Sequence, residues 1–408
     1  MFNAPSSLRI MPVFRTGEDG ALPSERSCPP TETIERIWPY LPAFGITRLA
    51  RQTDLDRVGI SCWAAFRPNS KSLASAQGKG LDDAAACASA AMEAIEVAVA
   101  ECPRCRSKVA SASELAGAGE DWLDPERLLP FGTAFDHNSV ITWFLGTDLL
   151  TRTPIWVPSD AVDLDGERSE LKGICKSSNG LASGNTEDEA LFHGLCELVE
   201  RDATTLWTLR PQIASRMTCF SPETLGDPTV KQLAQQIASS GLKLRLFDLT
   251  TDLGIAVVMA IVGPEEQSVV GELELAAGYG AHPIAARAAV RAITEAAQSR
   301  ITSIAASRDD IHSSSFGSTA RIDASSLIMA EPLAPAPLGS AAGTTLPDLI
   351  GRVLSALAAR RCRTIAVRLE TGGAPFHVVK ILSPDLEDRD ANINWRPGWR
   401  SFDAVATH

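Results

Sequence analysis

Three long stretches of this chain have helical periodicity, and each carries a narrow polar stripe. They cover residues 82–101, 187–209 and 283–306. Polar residues recur in them at positions i, i+4 and i+7: Ser89, Glu93 and Glu96; His193, Glu197 and Glu200; Arg291, Glu295 and Gln298. At about 100° per residue, each set falls within an arc of roughly 60°. The first stripe is the most constraining, because its helix is otherwise nearly all Ala, Met, Ile and Val. A helix apolar almost all round is buried, and buried carboxylates must be paired or bind a cation. Glu93, Glu197 and Glu295 also recur about a hundred residues apart, a spacing compatible with an ancient triplication or with coincidence.

Glu93 with Glu96, and Glu197 with Glu200, stand three residues apart, where like charges repel even on an exposed helix. Two such pairs brought together in a core would be untenable as bare anions. A hard divalent cation resolves the conflict, and Mg²⁺ usually shares its ligands with a substrate phosphate. Di-iron bundles also use helical glutamates, but they need Glu-x-x-His; here the motifs end in Glu or Gln, which favours Mg²⁺. Phosphate needs donors too. Residues 75–80, Ser-Ala-Gln-Gly-Lys-Gly, read as a flexible loop presenting Lys79 just before the first glutamate helix, whose N-terminus would be an anion site. Residues 177–180 and 183–185 read as a similar polar loop before the second helix, and Arg201 and Arg291 can clamp phosphate oxygens. The Walker A pattern is absent.

Strand-like runs fall at 59–66, 140–145, 242–249, 255–262, 268–275, 364–370 and 376–382, with further helices at 32–37 and 347–361. Mixed elements of this kind predict an α/β or α+β domain with several sheets packed against the long helices, without the regular alternation of a barrel. Residues 1–44 read as an irregular leading segment, 45–390 as the catalytic domain and 391–408 as a tail; residues 332–345 read as an exposed connection. A formal net charge of −12 argues against binding a nucleic-acid backbone. The N-terminus lacks a signal-peptide pattern, and the longest apolar run, 255–262, is too short to span a bilayer, so the cytoplasm is expected. Nine irregularly spaced cysteines do not make a disulfide framework. Cys102 and Cys105 form a C-x-x-C pair without a second metal half-site and read as two thiols in a reducing compartment.

In their order along the chain, these motifs resemble the YcaO family. The resemblance is carried by GITRLARQTDLDRVGISCWAAFRPNSKSLASAQGKG, SAAMEAIEVAVAE, SSNGLASGNTEDEALFHGLCELVERDA and GYGAHPIAARAAVRAITEAAQSRITSIAASRDD, running from about Gly45 to Asp310. It implies an ATP-binding fold peculiar to the family, with glutamates holding Mg²⁺, and phosphorylation of a peptide amide oxygen after a nucleophile has attacked the amide carbon. It carries over Ser89, Glu93 and Glu96 from the first motif, Glu197, Glu200 and Arg201 from the second, and Arg291, Glu295 and Gln298 from the third, with Lys79 implied. The metal ligands would be Glu93, Glu96, Glu197 and Glu200, and the catalytic set Glu93, Glu200, Arg201 and Arg291. Arg300 also matches, but it lies on the other side of its helix and reads as structural.

Two departures matter. Val97 stands where many relatives place an arginine, and the chain ends WRPGWRSFDAVATH, without the P-x-P-x-P tail of azoline-forming members. The compact chain resembles the TfuA-associated members linked to thioamide formation. The implied partners are a peptide or protein substrate, a TfuA-like protein, a sulfur donor and a second copy of the chain, in a setting such as natural-product biosynthesis. The alternatives are an azoline-forming cyclodehydratase and a non-catalytic accessory subunit in protein or ribosomal modification. Cys87, Cys175 and Cys196 read as small hydrophobes, and His193 and His282 as either proton carriers or satisfied polar residues.

Overall fold

The computed structural model describes residues 11–14, 25–130, 132–264, 275–305, 324–337, 345–389 and 395–406. Its strands form three antiparallel sheets. The first is β1 (Arg48–Arg51), β2 (Cys62–Phe66) and β3 (Ser75–Lys79), in that order. The second begins with β4 (Ser107–Ser111), β5 (Val140–Asp148), β6 (Pro154–Pro158) and β7 (Leu181–Gly184). The third holds β8 (Cys219–Phe220), β9 (Leu242–Asp248), β10 (Ala256–Pro264) and β11 (Ala276–His282), in the order β11-β10-β9-β8. The second is completed late in the chain by β12 (Ile365–Leu369) and β13 (His377–Leu382), in the order β4-β5-β12-β13-β7 with β6 paired to β5. The mixed α/β class with several sheets is therefore the architecture observed.

The helices are α1 (Pro30–Ile37), α2 (Asp83–Ala100), α3 (Ala112–Gly117), α4 (Glu187–Thr208), α5 (Gln212–Arg216), α6 (Pro228–Ser239), α7 (Ala285–Ala305), α8 (Ala324–Ile328), α9 (Leu346–Ala359) and α10 (Trp399–Ala406). None among the described residues is long and apolar enough to cross a membrane. The helix expected at 32–37 within the leading segment is present as α1. From Pro30 the segment is helical, and Ile34, Ile37 and Leu41 are buried in the same core as α2.

Three strand–helix units organise the molecule: β3 with α2, β7 with α4, and β11 with α7. Each strand is an edge strand of a different sheet. The helices also reach around to one another's units, α2 touching β7, α4 touching β11 and α7 touching β3, so the three units close into a ring. This repeated layout favours triplication over coincidence as the reason for the glutamate spacing.

Residues 75–80 do not form the flexible loop that their glycines suggest. Ser75–Lys79 is strand β3, paired with β2. A Cβ on Gly78 would stand 2.1 Å from the backbone nitrogen of Ala90, so the glycine is there to let strand and helix backbones touch. Likewise, β7 occupies 181–184, where a loop was expected. Strand β11 went unrecognised in the sequence because Ala-Ala-Gly-Tyr-Gly-Ala-His has poor strand propensity; packing on α7 decides it. The expected strand at 268–275 lies almost wholly outside the described residues.

Candidate active site

At each joint of the ring, a stripe residue of one helix meets the strand of the next unit. Glu96 of α2 accepts a hydrogen bond from Ser183 Oγ of β7 at 2.6 Å. Glu200 of α4 accepts one from the Ala281 N–H of β11 at 3.0 Å. On α7, Glu295 pairs with Lys79 of β3, and Gln298 donates to the Gln77 carbonyl at 2.8 Å. The stripes thus meet in one region, where Glu96, Glu197, Glu200, Glu295, Arg201 and Arg291 act on one another electrostatically. Glu93 is exposed within it, and Ser89 is half-buried one turn before it on α2. The side chains of Glu197 and Arg201 keep 27% and 35% exposure, and those of Glu295 and Lys79 25% each.

Burial and neighbouring charges shift several carboxyls of this region from their ordinary range. Burial, with Glu93 and Glu197 nearby, pushes the Glu96 carboxyl up to about 8, although Ser183 opposes the rise. Burial and then Glu295 push Glu200 up to about 7, against the pull of Arg201, Arg291 and Lys79. Glu197 is also raised by burial, against Arg201, Lys380 and the Gly180 N–H. Glu295, in contact with Lys79, is held below the ordinary range despite its burial. Arg201 is raised in spite of burial by Glu197, Glu200, Glu295 and Asp388. Burial is the first cause of the rise at Glu96, Glu197 and Glu200, and a further cation beside them would favour their ionised forms.

The family described as "YcaO cyclodehydratase, ATP- and Mg²⁺-binding" matches residues 77–387, from within β3 to beyond β13. The chain belongs to the YcaO family. A protein of the tfuA 3′ region of Rhizobium leguminosarum bv. trifolii is 36% identical over 375 residues, 89% of each chain. A protein of Methanothermobacter thermautotrophicus is 34% identical over 286 residues, covering 69% of this chain and 72% of that one. Among solved structures, YcaO from Methanopyrus kandleri bound with AMPPCP and Mg²⁺ superposes with a TM-score of 0.66 at 23% identity, over 92% of this chain and 98% of that one. A heterocyclase in complex with substrate and cofactor superposes with a TM-score of 0.64 at 23% identity, over 89% of this chain; this chain spans 53% of that longer one.

The residues of this YcaO protein fit the two groups the family binds. Glutamate carboxyls raised by burial suit a hard dication, while the Nε–H groups of Arg201 and Arg291 are buried without an acceptor among the described residues, which suits a polyanion. The four glutamates expected to hold the metal, Glu93, Glu96, Glu197 and Glu200, do not form a ready-made cage. Among the described residues no three carboxylate, imidazole or thiol groups are gathered closely enough to hold a metal by themselves. A cation here would have to share protein oxygens with phosphate oxygens. The N-terminus of α2, expected to be an anion site, carries a side-chain cap, as does that of α4. Asp82 caps α2, accepting from the Ala85 N–H at 2.7 Å, and Thr186 caps α4 through the Glu189 N–H at 3.2 Å. A carboxylate already on the first of those ends repels a second anion.

Other positions fall outside this site or were not legible. Arg300 makes a buried ion pair with Asp56, Nε to Oδ2 at 2.8 Å, as expected of a structural residue. Burial pushes the Cys87 and Cys196 thiols up to about 12, so neither is a nucleophile at neutral pH; Cys102 is exposed, and Cys105 is half-buried with its thiol also raised to about 12. His193 is kept neutral by burial and by Arg26 and Arg291. His282 is pulled to about 3 by burial and then Arg291; its Nδ1 accepts from the Ile284 N–H at 2.9 Å. Two cations went unnoticed in the sequence. Arg26 enters from the leading segment, among Glu189, Arg291 and Glu25. Lys380, on β13, faces Glu197. Neither belongs to a periodic pattern, and only the fold brings them here.

Proposed function

We propose that this YcaO protein uses ATP and Mg²⁺ to phosphorylate a peptide backbone amide oxygen, and that it does so to make a thioamide with an external sulfur donor. The observation that carries the reading is the closed ring of strand–helix units, which sets Glu93, Glu96, Glu197, Glu200 and Glu295 with Lys79, Arg201 and Arg291 in one region. The relative encoded in a tfuA 3′ region, 36% identical, supports a TfuA-like partner and hence the thioamide branch.

Amides are poor electrophiles and their oxygen is a poor leaving group, so the chemistry has to be divided. Hydrosulfide adds to the amide carbon and leaves an oxyanion; that oxygen takes the γ-phosphoryl group of ATP, releasing ADP. Phosphate then departs with the C–O electron pair, the sulfur proton passes to it, and C=S is formed. Bound Mg²⁺ would supply charge screening at the phosphates, held by Glu96, Glu197 and their neighbours. Arg201 and Arg291, with Nε–H donors to spare, orient the phosphates and offset charge as it moves. Lys79, already paired with Glu295, adds a cation at the β3 edge. Alignment of the two substrates is the main contribution, and no covalent enzyme intermediate is needed.

The family's description as a cyclodehydratase favours one second reading, in which an internal Cys, Ser or Thr side chain replaces sulfide. Incubating the protein with a precursor peptide, ATP, Mg²⁺, sulfide and a TfuA-like partner separates the two by mass spectrometry. Sulfur-for-oxygen exchange raises the peptide mass, whereas cyclisation lowers it by one water. Absence of peptide-dependent ADP release would leave the accessory role.

A further inference from the structure

Strand β13 reads His-Val-Val-Lys-Ile-Leu, and a lysine in its buried middle is out of keeping with its neighbours. Val379 and Ile381 are at 1% and 0% exposure, and Lys380 itself is at 2%. Its ammonium is not idle. It donates to the carbonyls of Ser177 and Asn179, the latter at 2.7 Å, and it faces Glu197 of α4 and Asp388. The same turn is fastened at two further points. Asn179 Nδ2 donates to Asp388 Oδ2 at 2.7 Å, and the Gly180 N–H donates to Glu197 Oε2 at 3.3 Å. Gly180 has φ +75° and lies so close to β13 that a Cβ would stand 2.3 Å from the Ile381 carbonyl oxygen. One buried ammonium therefore fixes a turn, and the turn fixes a stripe carboxylate.

Burying a charge costs free energy even when it is hydrogen-bonded, so an ammonium in this strand asks for a reason beyond packing. Outer-shell groups that orient ligating carboxylates are a recurrent reason for such an expense. We propose that Lys380 is a positioning residue of the Mg²⁺·ATP site, which holds the 177–180 turn so that Glu197 is presented to the cation. The proposal rests on the reading of Glu197 given above and names the group that governs it.

Lys380→Met matches the apolar neighbours in the strand; losing its two carbonyl contacts should lower stability without preventing folding. The first readout needs no turnover: Mg²⁺ is titrated against the thermal stabilisation conferred by AMPPCP. The variant should need roughly tenfold more Mg²⁺ for half its effect, the scale typical of lost outer-shell contacts. The second is a split in kinetics, in which the Mg²⁺ requirement for ADP release rises while the KM for ATP at saturating Mg²⁺ stays put. Asn179→Ala loosens the same turn from its other side and should move the Mg²⁺ requirement in the same direction, which keeps the test open if Lys380→Met does not fold. An unchanged Mg²⁺ requirement in the folded variants, or an equal loss in Mg²⁺ and ATP affinity, overturns the positioning role. Failure of AMPPCP and Mg²⁺ to stabilise the unaltered protein would instead overturn the functional reading beneath it.

Discussion

Glu96 shows how much a side chain owes to what surrounds it. In water it would be ionised well below neutrality, yet here burial and two neighbouring carboxylates raise it to about 8. The folded chain therefore binds a proton there that the unfolded chain does not. The stability this brings is complete below the ordinary carboxylate range and is lost as pH rises through about 8. Mg²⁺ competes for the same oxygens, so its affinity in the presence of AMPPCP should climb from mildly acidic buffer to about pH 8 and level off beyond. Affinity that falls over that span would remove Glu96 from the cation site. Substitution separates folding from function at these positions. Glu93→Gln and Glu200→Gln should each abolish Mg²⁺·ATP-dependent ADP release while leaving the circular dichroism spectrum and Tm in place, because a neutral isostere relieves repulsion. Full turnover in both would exclude these carboxylates from the reaction. Their positions were legible beforehand because three polar residues on one helix face survive any change in the surrounding fold.

The strand–helix unit shows both the reach and the failure of pattern reading. The helices announced themselves by period, and α2 was seen to be buried because it has so little polar surface. Strands β3 and β11 were missed for a related reason. Their glycines, which usually mark loops, exist here because helix backbones press directly on the strands. No local rule in the strand reveals a partner that arrives later in the chain. Gly78→Ala tests this account. The added methyl meets Ala90 N and Ala86 O, both backbone atoms, so one element must move. The expected loss is about 1–3 kcal/mol, read as a shift in the urea midpoint without change in slope. Gly119→Ala, whose added methyl meets nothing within 4 Å, bears only the strain of a positive φ and should cost less.

At the level of the whole molecule, long-range ties hold the ring from outside. Arg400 of α10 makes a buried bidentate pair with Asp202 of α4, Nε–Oδ1 and Nη2–Oδ2 both at 2.8 Å, and reaches Asp252 at 2.7 Å. Asp202 follows Arg201 directly, so the last helix braces the one that carries the second glutamate stripe. Arg400→Met would strand a carboxylate at 0% exposure and should cost about 3–5 kcal/mol by urea unfolding. Adding Asp202→Asn should recover part of it; no recovery would mean that packing, not the ion pair, holds α10. This brace, like Arg26 and Lys380, has no signature in the sequence, because Arg400 and Asp202 stand 198 residues apart in the chain. The cyclic contact of α2 with β7, α4 with β11 and α7 with β3 carries a different consequence. A chain emerging from the ribosome owns only a fraction of the site until its third unit is docked and β13, made later still, has paired with β7. Half-finished or clipped molecules would thus be unable to spend nucleotide, and competence arrives all at once, with the closing joint.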